Sequence, residues 1–145
     1  MFKGYLSGPI DNCTSAEIKD WRNFLKKEYP QYHWYDPLDL TDNAKESVIE
    51  KDFSKIIPKE KQMIVNSDFM IVYPWKPSSG TSMEVMFAYD HKIPVIAIKD
   101  PNQLYLSPWI TYHCIHVANT FKDAMEALDQ FLELKMVGRL KVSHN

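Results

Sequence analysis

The chain has 145 residues, of which 45% are apolar and 25% charged, and this composition predicts one folded domain whose core needs no disulfide or structural metal. A formal net charge of −2 argues against the strongly basic surface that binds a nucleic-acid polymer or an anionic membrane, although a few local donors could hold one phosphate.

The cysteines and the start of the chain indicate the compartment. Cys13 and Cys114 are far apart and neither belongs to a Cys-x-x-Cys pair, so we expect free thiols and no zinc site. No apolar run approaches the roughly 20 residues that span a bilayer. The start, MFKGYLSGPI, breaks at Gly8-Pro9, where a signal peptide needs a continuous apolar segment. These features predict a cytoplasmic protein.

The first part of the chain is predicted to form a strand, a helix and a strand. Residues 2–6 form the first strand, which ends at Ser7-Gly8-Pro9. Thr14 and Glu17 match a capping box, and the helix that they begin continues until Pro30. Residues 32–35 are β-prone and lead into the loop DPLDLTDN.

The same alternation continues to the end of the chain. A second helix is outlined by Val48, Ile49, Phe53, Ile56 and Ile57. Pro58 is expected to break or kink it, with a further turn to Val65. Buried strands are predicted at 68–73, 93–98 and 114–118, with a helix to about His91 and a last helix from Thr120. Residues 136–145 are expected to form a C-terminal tail.

This order of elements predicts an α/β fold, a three-layer sandwich around a parallel sheet of about five strands. In such sheets ligands bind outside the carboxyl ends of the strands, near the point where the strand order reverses. The loops YLSGPID (5–11) and PWKPSSGT (74–81) are therefore the candidate site, and the loop DPLDL (36–40) is a candidate wall.

Glu84, in the stretch SSGTSMEVMFAY, has two readings. Thr81-Ser82-Met83-Glu84 matches a capping box, which would make Glu84 a routine helix cap. In the first helical turn the macrodipole would also keep its carboxylate ionised, as a nucleophile facing a cleft requires. The hydroxyls of Ser78, Ser79 and Thr81 and the backbone of Gly80 suit an anion-binding helix end, and equally an ordinary loop.

Asp68 and Tyr5 also have two possible interpretations each. Asp68 either punctuates the turn before the third strand or faces a site. Tyr5 is either a core aromatic with its hydroxyl satisfied or a site residue. The histidines have no metal-ligand spacing, so no metal site is expected.

Three segments taken together resemble the nucleoside 2-deoxyribosyltransferase family, which includes the 2'-deoxynucleoside 5'-monophosphate N-glycosidases. They are GYLSGPI (4–10), NSDFMIVY (66–73) and GTSMEVMFAYDHKIPVIAI (80–98). The resemblance implies a flavodoxin-like fold, chemistry without metal or organic cofactor, a small-molecule deoxynucleoside or deoxynucleotide substrate, and a homodimer or larger homo-oligomer with shared active sites.

The resemblance also implies roles for individual residues. Glu84 falls on the nucleophile that attacks C1' of the sugar, and Asp68 falls on an aspartate near the base and sugar that assists proton transfer. Tyr5 falls on a tyrosine that helps position the nucleophile and the substrate. Substrate contacts are implied for the loop residues Ser7, Gly8, Pro9, Gly80 and Thr81. Such an enzyme would pass the deoxyribosyl group either to another base or to water.

Further matches bear on the substrate. Ser78 and Ser107 match serines that contact a 5'-phosphate in the nucleotide hydrolases, Ser107 from a neighbouring subunit. Pro9 and Asp11, however, stand where that branch has a serine and an arginine, which favours a free nucleoside or a different phosphate site. Asp39, in YDPLDL, resembles a base contact. The alternatives are an NAD-type glycohydrolase and a nucleotide-binding sensor without catalysis.

Overall fold

The computed structural model of the chain describes residues 1–40 and 53–143. Its centre is a five-stranded sheet in which all the strand pairs are parallel. The strands are β1 (Lys3–Ser7), β2 (His33–Tyr35), β3 (Phe69–Val72), β4 (Val95–Ile98) and β5 (His116–Ala118). Their spatial order, β2-β1-β3-β4-β5, is that of flavodoxin-like folds, and it confirms the predicted fold class.

In the part of the chain that the structure describes, five helices cover the sheet: α1 (Ser15–Glu28), α2 (Phe53–Val65), α3 (Ser79–Asp90), α4 (Pro108–Tyr112) and α5 (Phe121–Ser143). A 3₁₀ turn, Pro37–Leu40, follows β2. The predicted capping box of α1 is present, because Thr14 and Glu17 each accept a hydrogen bond from the other's backbone N–H. Within the described residues, no helix is both long and apolar enough to cross a bilayer.

The two faces of the sheet bury separate cores. Leu6, on one side of β1, packs with residues of α1 and α5. Tyr5, on the other side, packs with residues of α2 and α3. Because neighbouring residues of a strand point to opposite faces, Tyr5 and Ser7 share the α3 side of the sheet. This alternation puts two hydroxyls of β1 under α3.

β1 lies at the point where the strand order reverses. The chain moves from β1 to β2 on one side and then returns past β1 to β3 on the other. Ser7 pairs with Val72, so the carboxyl ends of β1 and β3 lie side by side and the loops that follow them flank one crevice. The residues described in the next subsection converge at these strand ends, where the sequence predicts the site.

Several local predictions need correction. Pro58 lies inside α2 without ending it, and α4 and the 3₁₀ turn have no counterpart among the predicted elements. Residues 136–143, expected in the tail, continue α5. Val48 and Ile49 of the predicted second helix, residues 41–43 of the loop, and His144 and Asn145 lie outside the described residues.

Candidate active site

Glu84 is not a helix cap. The N-cap of α3 is Ser78, whose Oγ accepts a hydrogen bond from Thr81 N at 3.3 Å. The helix therefore begins one turn earlier than the Thr81–Glu84 capping box requires, and Glu84 lies in the second turn. Its carboxylate is left for contacts outside the helix.

Those contacts are the two hydroxyls of β1. Tyr5 Oη donates a short hydrogen bond to Glu84 Oε2, and Ser7 Oγ donates to Glu84 Oε1 at 3.1 Å. Tyr5 and Ser7 have no exposed surface, whereas Glu84 is partly exposed. Each carboxylate oxygen thus has its own donor from a rigid strand, which fixes the orientation of the carboxylate.

Burial is the largest influence on the pKa of Glu84 and raises it, and with all influences combined the pKa is about 7. The negative charge of Glu60 raises the pKa further, while the hydrogen bonds from Tyr5 and Ser7 and the charge of Arg22 oppose the shift. The expectation that the macrodipole keeps Glu84 fully ionised is therefore wrong, since the dipole acts mainly in the first turn. Burial and Glu84 also raise the pKa of Tyr5 above its ordinary value, so Tyr5 is a donor at neutral pH.

Glu84 borders a cavity of about 540 Å³ beside the carboxyl ends of the strands. One wall is the loop after β1, with Gly8 and Asp11, and another is the 3₁₀ turn, with Pro37 and Leu38. The walls from α2 and α3 are mostly apolar, and the charged residues Glu60, Lys61 and Asp90 also line them; the apolar side chains include Ile56, Ile57, Ile64, Met83, Met86 and Phe87. Such a lining suits the flat, weakly polar faces of an organic ring.

Gly8 is required at its position by close packing. A Cβ added to Gly8 would lie 2.7 Å from Cζ2 of Trp21 and 3.3 Å from the carbonyl oxygen of Tyr73. Gly80 differs, because a Cβ there would meet nothing within 4 Å. Both glycines line the cavity, but only Gly8 is constrained by close packing, and substrate contact by either glycine stays a prediction.

Asp68 is not at this site. It precedes β3, and its Oδ2 accepts a hydrogen bond from Lys3 N at 2.8 Å, while Asp68 N donates to Lys3 O at 2.7 Å. Lys3 and Asp68 mark the amino ends of β1 and β3, the edge of the sheet opposite the cavity. The expectation that Asp68 faces the site of Glu84 and assists proton transfer there is therefore wrong.

Pro9 and Asp39 also depart from their predicted roles. Asp39 has an exposed side chain whose Oδ1 lies 4.0 Å from Nζ of Lys26 on α1, while its neighbours Pro37 and Leu38 form the cavity wall. Pro9 is buried in the loop after β1. The loop meets the cavity through Gly8 and Asp11 instead.

Ser78 and Ser107 line a second cavity, of about 840 Å³, next to the first. Ser78, Thr81 and Met83 border both cavities and so form the shared wall. Ser107 occupies the N-cap position of α4, but its hydroxyl makes no capping hydrogen bond. The structure thus brings together on one chain the two serines that were matched to phosphate contacts, with Lys76 on the same wall.

Two residues near the site were absent from the sequence prediction. Glu60 on α2 lines the first cavity and acts electrostatically on Glu84. Arg22 on α1 is completely buried behind β1. A signal existed for Arg22: it occupies the buried face of a helix whose other inward residues are Trp21 and Leu25. A charged side chain in that stripe indicates a buried partner.

No cluster of three or more potential metal ligands occurs among the His, Cys, Asp and Glu residues that the structure describes. Cys114 is partly buried, which raises the pKa of its thiol to about 12 and makes it a poor ligand and nucleophile.

No family model and no curated protein matches the sequence. Solved structures do match. The 2-deoxyribosyltransferase of Bacillus psychrosaccharolyticus superposes with a TM-score of 0.68 at 15% identity, over 83% of this chain and 88% of that one. A conserved protein from Enterococcus faecalis V583 gives 0.68 at 17% identity, over 90% and 98%. A Clostridium botulinum CMP N-glycosidase gives 0.53 at 18% identity, over 89% and 98%. This chain therefore has the flavodoxin-like fold that a 2-deoxyribosyltransferase and a CMP N-glycosidase also have.

Proposed function

We propose that this chain is an enzyme that cleaves the N-glycosidic bond of 2'-deoxynucleosides or their 5'-monophosphates, with Glu84 as the nucleophile. The observation that carries the proposal is the carboxylate of Glu84, oriented by Tyr5 and Ser7 at the edge of a cavity at the switch point of the sheet. The solved deoxyribosyltransferase and N-glycosidase of the same fold are consistent with this chemistry.

The proposed reaction has two steps. An oxygen of Glu84 forms a bond to C1' as the bond between C1' and the base nitrogen breaks, and the base leaves with that electron pair and takes up a proton. Another base or a water then attacks C1', the bond between C1' and the Glu84 oxygen breaks, and the attacking group returns a proton to the acid that protonated the first base. Both steps pass through oxocarbenium-like states that an anionic carboxylate stabilises, as in retaining glycosidases.

We assign the proton for the departing base to Glu60, in place of Asp68. Glu60 faces the same cavity as Glu84, and its charge raises the pKa of Glu84, so the two carboxylates interact. A second carboxyl group on the same cavity can give a proton to the leaving base and take one back in the next step.

The second cavity supports a 5'-monophosphate as substrate. Ser78, Ser107 and Lys76 offer hydroxyl and ammonium donors there, next to the amino end of α3. Asp11, on the wall of the first cavity, would repel a phosphate placed on that side. The phosphate of a nucleotide is therefore assigned to the second cavity and the sugar and base to the first.

A second copy of the chain is the expected partner. Apolar and aromatic side chains of α3 and α4 form an exposed surface, the α3–α4 patch, made of Met83, Met86, Tyr89, Trp109 and Tyr112. Met83 also borders both cavities, so a copy covering this patch would close them from the side. This arrangement supports the expected oligomer with shared active sites.

The test is product analysis by chromatography. The protein is incubated with each deoxynucleoside and each 5'-monophosphate, with and without an added free base. Free base released without acceptor identifies a hydrolase, and exchange that needs the acceptor identifies a transferase. Glu84→Gln should abolish either activity, while Glu133→Gln, at an exposed position of α5, should not change it. Tight nucleotide binding without turnover in the unaltered protein would instead indicate a sensor.

A further inference from the structure

Arg22 is a charged side chain with no exposed surface, placed on the face of α1 that packs against the sheet. Burying a guanidinium is unfavourable unless its donors and its charge are matched. The hydrogen-bond and ion-pair partners of Arg22 therefore indicate its role in the structure.

Three of those partners are backbone carbonyls. Arg22 Nη1 donates to Leu6 O at 3.0 Å, Nη2 donates to Gly8 O at 3.1 Å, and Nε donates to Ile18 O at 3.0 Å. β2 ends at Tyr35, which pairs with Tyr5, so the strand that would continue the ladder stops before Leu6 and Gly8. The guanidinium of Arg22 donates to Leu6 O and Gly8 O the hydrogen bonds that a longer β2 would have donated.

Ser7 lies between the two carbonyls that Arg22 holds. On the opposite edge of β1, Ser7 O accepts a hydrogen bond from Tyr73 N at 2.9 Å. The backbone around Ser7 is thus fixed from both edges, by a guanidinium on one and by the start of the loop after β3 on the other. Its hydroxyl is thereby held 3.1 Å from Glu84.

The charge of Arg22 is only partly compensated. Asp36 Oδ1 lies 3.3 Å from Arg22 Nη1, and Asp36 Oδ2 accepts a hydrogen bond from Lys26 Nζ at 2.7 Å. Lys26 Nζ also lies 4.0 Å from Oδ1 of the exposed Asp39, so the cluster holds two cations and two anions, of which Asp36 is the buried anion that Arg22 shares with Lys26.

We infer that Arg22 is a positioning residue of the candidate active site, which fixes Ser7 against Glu84 and favours the anionic form of Glu84 from the opposite layer of the fold. In agreement, Arg22 lowers the pKa of Glu84 against the effects of burial and of Glu60. Tyr5 is the titratable group on β1 that contacts Glu84. The other charged side chains that line the cavity are Asp11, Lys61 and Asp90.

The test separates charge from hydrogen bonding with two variants. Arg22→Gln removes the charge and keeps an amide donor, whereas Arg22→Lys keeps the charge and loses the planar group. The carboxyl carbon of Glu84 is followed by ¹³C NMR across pH and assigned by the signal that Glu84→Gln lacks. We expect a midpoint that rises by about one pH unit in Arg22→Gln and stays near that of the unaltered protein in Arg22→Lys.

Lys19→Gln, which removes an exposed lysine from the same helix, is the matched control and should leave the midpoint unchanged. An unshifted midpoint in Arg22→Gln, or an equal shift in Lys19→Gln, would overturn the inference. If the Arg22 variants do not fold, Asp36→Asn keeps the guanidinium and removes the anion. Its midpoint should then fall, and a midpoint that stays or rises contradicts the inference.

The NMR measurement needs no substrate, so it stands apart from the proposed function, on which the catalytic part of the inference rests. If deoxynucleosides are turned over, the acid limb of kcat/KM should shift in the same order as the NMR midpoints. Arg22→Lys should keep the position of that limb and lower kcat by about tenfold, because Ser7 is held less firmly. If neither the unaltered protein nor any variant turns over deoxynucleosides, the proposed function is wrong, but the electrostatic assignment of Arg22 still stands.

Discussion

Glu84 combines two properties that oppose each other. Its oxygens accept hydrogen bonds from Tyr5 and Ser7, which favour the anion, while burial and Glu60 favour the protonated form. The balance places its pKa at about 7, where a small change in surroundings alters the fraction of nucleophile.

The pH dependence of the activity follows from this balance. Because Glu84, the proposed nucleophile, must be ionised to react, kcat/KM should rise with pH through an acid limb near pH 7 and level off above it. Tyr5→Phe removes a donor to the anion, so its limb should move to higher pH and kcat should fall by roughly 10- to 100-fold. Tyr32→Phe, in the other core, is the control and should keep the profile. A profile of Tyr5→Phe that matches the unaltered protein would remove Tyr5 from the mechanism.

The same pKa predicts a stability effect. The folded chain holds the proton of Glu84 more tightly than the unfolded chain, so this group favours folding below about pH 4.5 and loses that contribution as the pH rises to about 7. Glu84→Gln should therefore gain stability relative to the unaltered protein between pH 4.5 and 8, by roughly 1 to 3 kcal/mol. Urea unfolding at both pH values measures the difference. A pH-independent difference would mean that folding leaves the pKa of Glu84 unchanged.

At the scale of elements, the two loops of the site are built differently. The loop after β1 is packed against Trp21 through Gly8, while α3 begins at an N-cap with open space around Gly80. The first loop is therefore positioned by contacts with the other layer and the second by helix formation.

Gly8→Ala and Gly80→Ala form a matched pair that tests this difference. At Gly8 the added methyl group would meet Trp21 at 2.7 Å, which we expect to cost about 1 to 3 kcal/mol. At Gly80, in the first turn of α3, alanine should be neutral or stabilising by up to about 1 kcal/mol. Thermal unfolding compares the two, and equal effects would contradict the packing argument.

The cap of α3 gives a second comparison. Ser78→Ala removes the acceptor of Thr81 N and should cost about 1 kcal/mol in the free energy of unfolding. Ser79→Ala, at the next and exposed position, should change the stability by less than about 0.5 kcal/mol. If Ser79→Ala proved the more costly, the helix would begin elsewhere than at Ser78.

The sequence alone is sufficient to predict the strands that are buried along their whole length. β3 and β4 are buried at every residue, so they stand out as apolar runs. The sequence does not locate the start of α3, because Ser78 and Thr81 are both good N-cap residues. In the structure Ser78 is the N-cap and Glu84 contacts Ser7 instead of capping the helix. Asp68 was misplaced although its position before a strand already puts it at the edge opposite the site. Glu60 could not be foreseen, since its direction depends on how α2 packs.

At the scale of the molecule, one group of exposed apolar side chains lies next to the candidate site. Met83, Trp109 and Tyr112 each expose more than 70% of their surface, and all lie on α3 or α4. The other face of the sheet is covered by α1 and α5. A second copy on the α3–α4 patch would bury this surface next to both cavities.

Light scattering after size-exclusion chromatography tests that arrangement. The unaltered protein should have a mass above that of one chain, and Trp109→Glu should lower it, because an uncompensated charge would be buried in the interface. Leu134→Glu introduces the same charge at an exposed apolar position of α5 and should leave the mass unchanged. A monomer at all concentrations would contradict the predicted oligomer.

β1 is an interior strand of the sheet and the earliest of the five strands in chain order. β1 pairs with β2 on one edge and with β3 on the other, and Tyr5 meets Glu84 across 79 residues of sequence. A nascent chain therefore carries an apolar strand with one open edge until residues 69–72 have left the ribosome. During that interval β1 is a natural target for chaperones, and codon changes that slow translation before β3 would prolong its exposure.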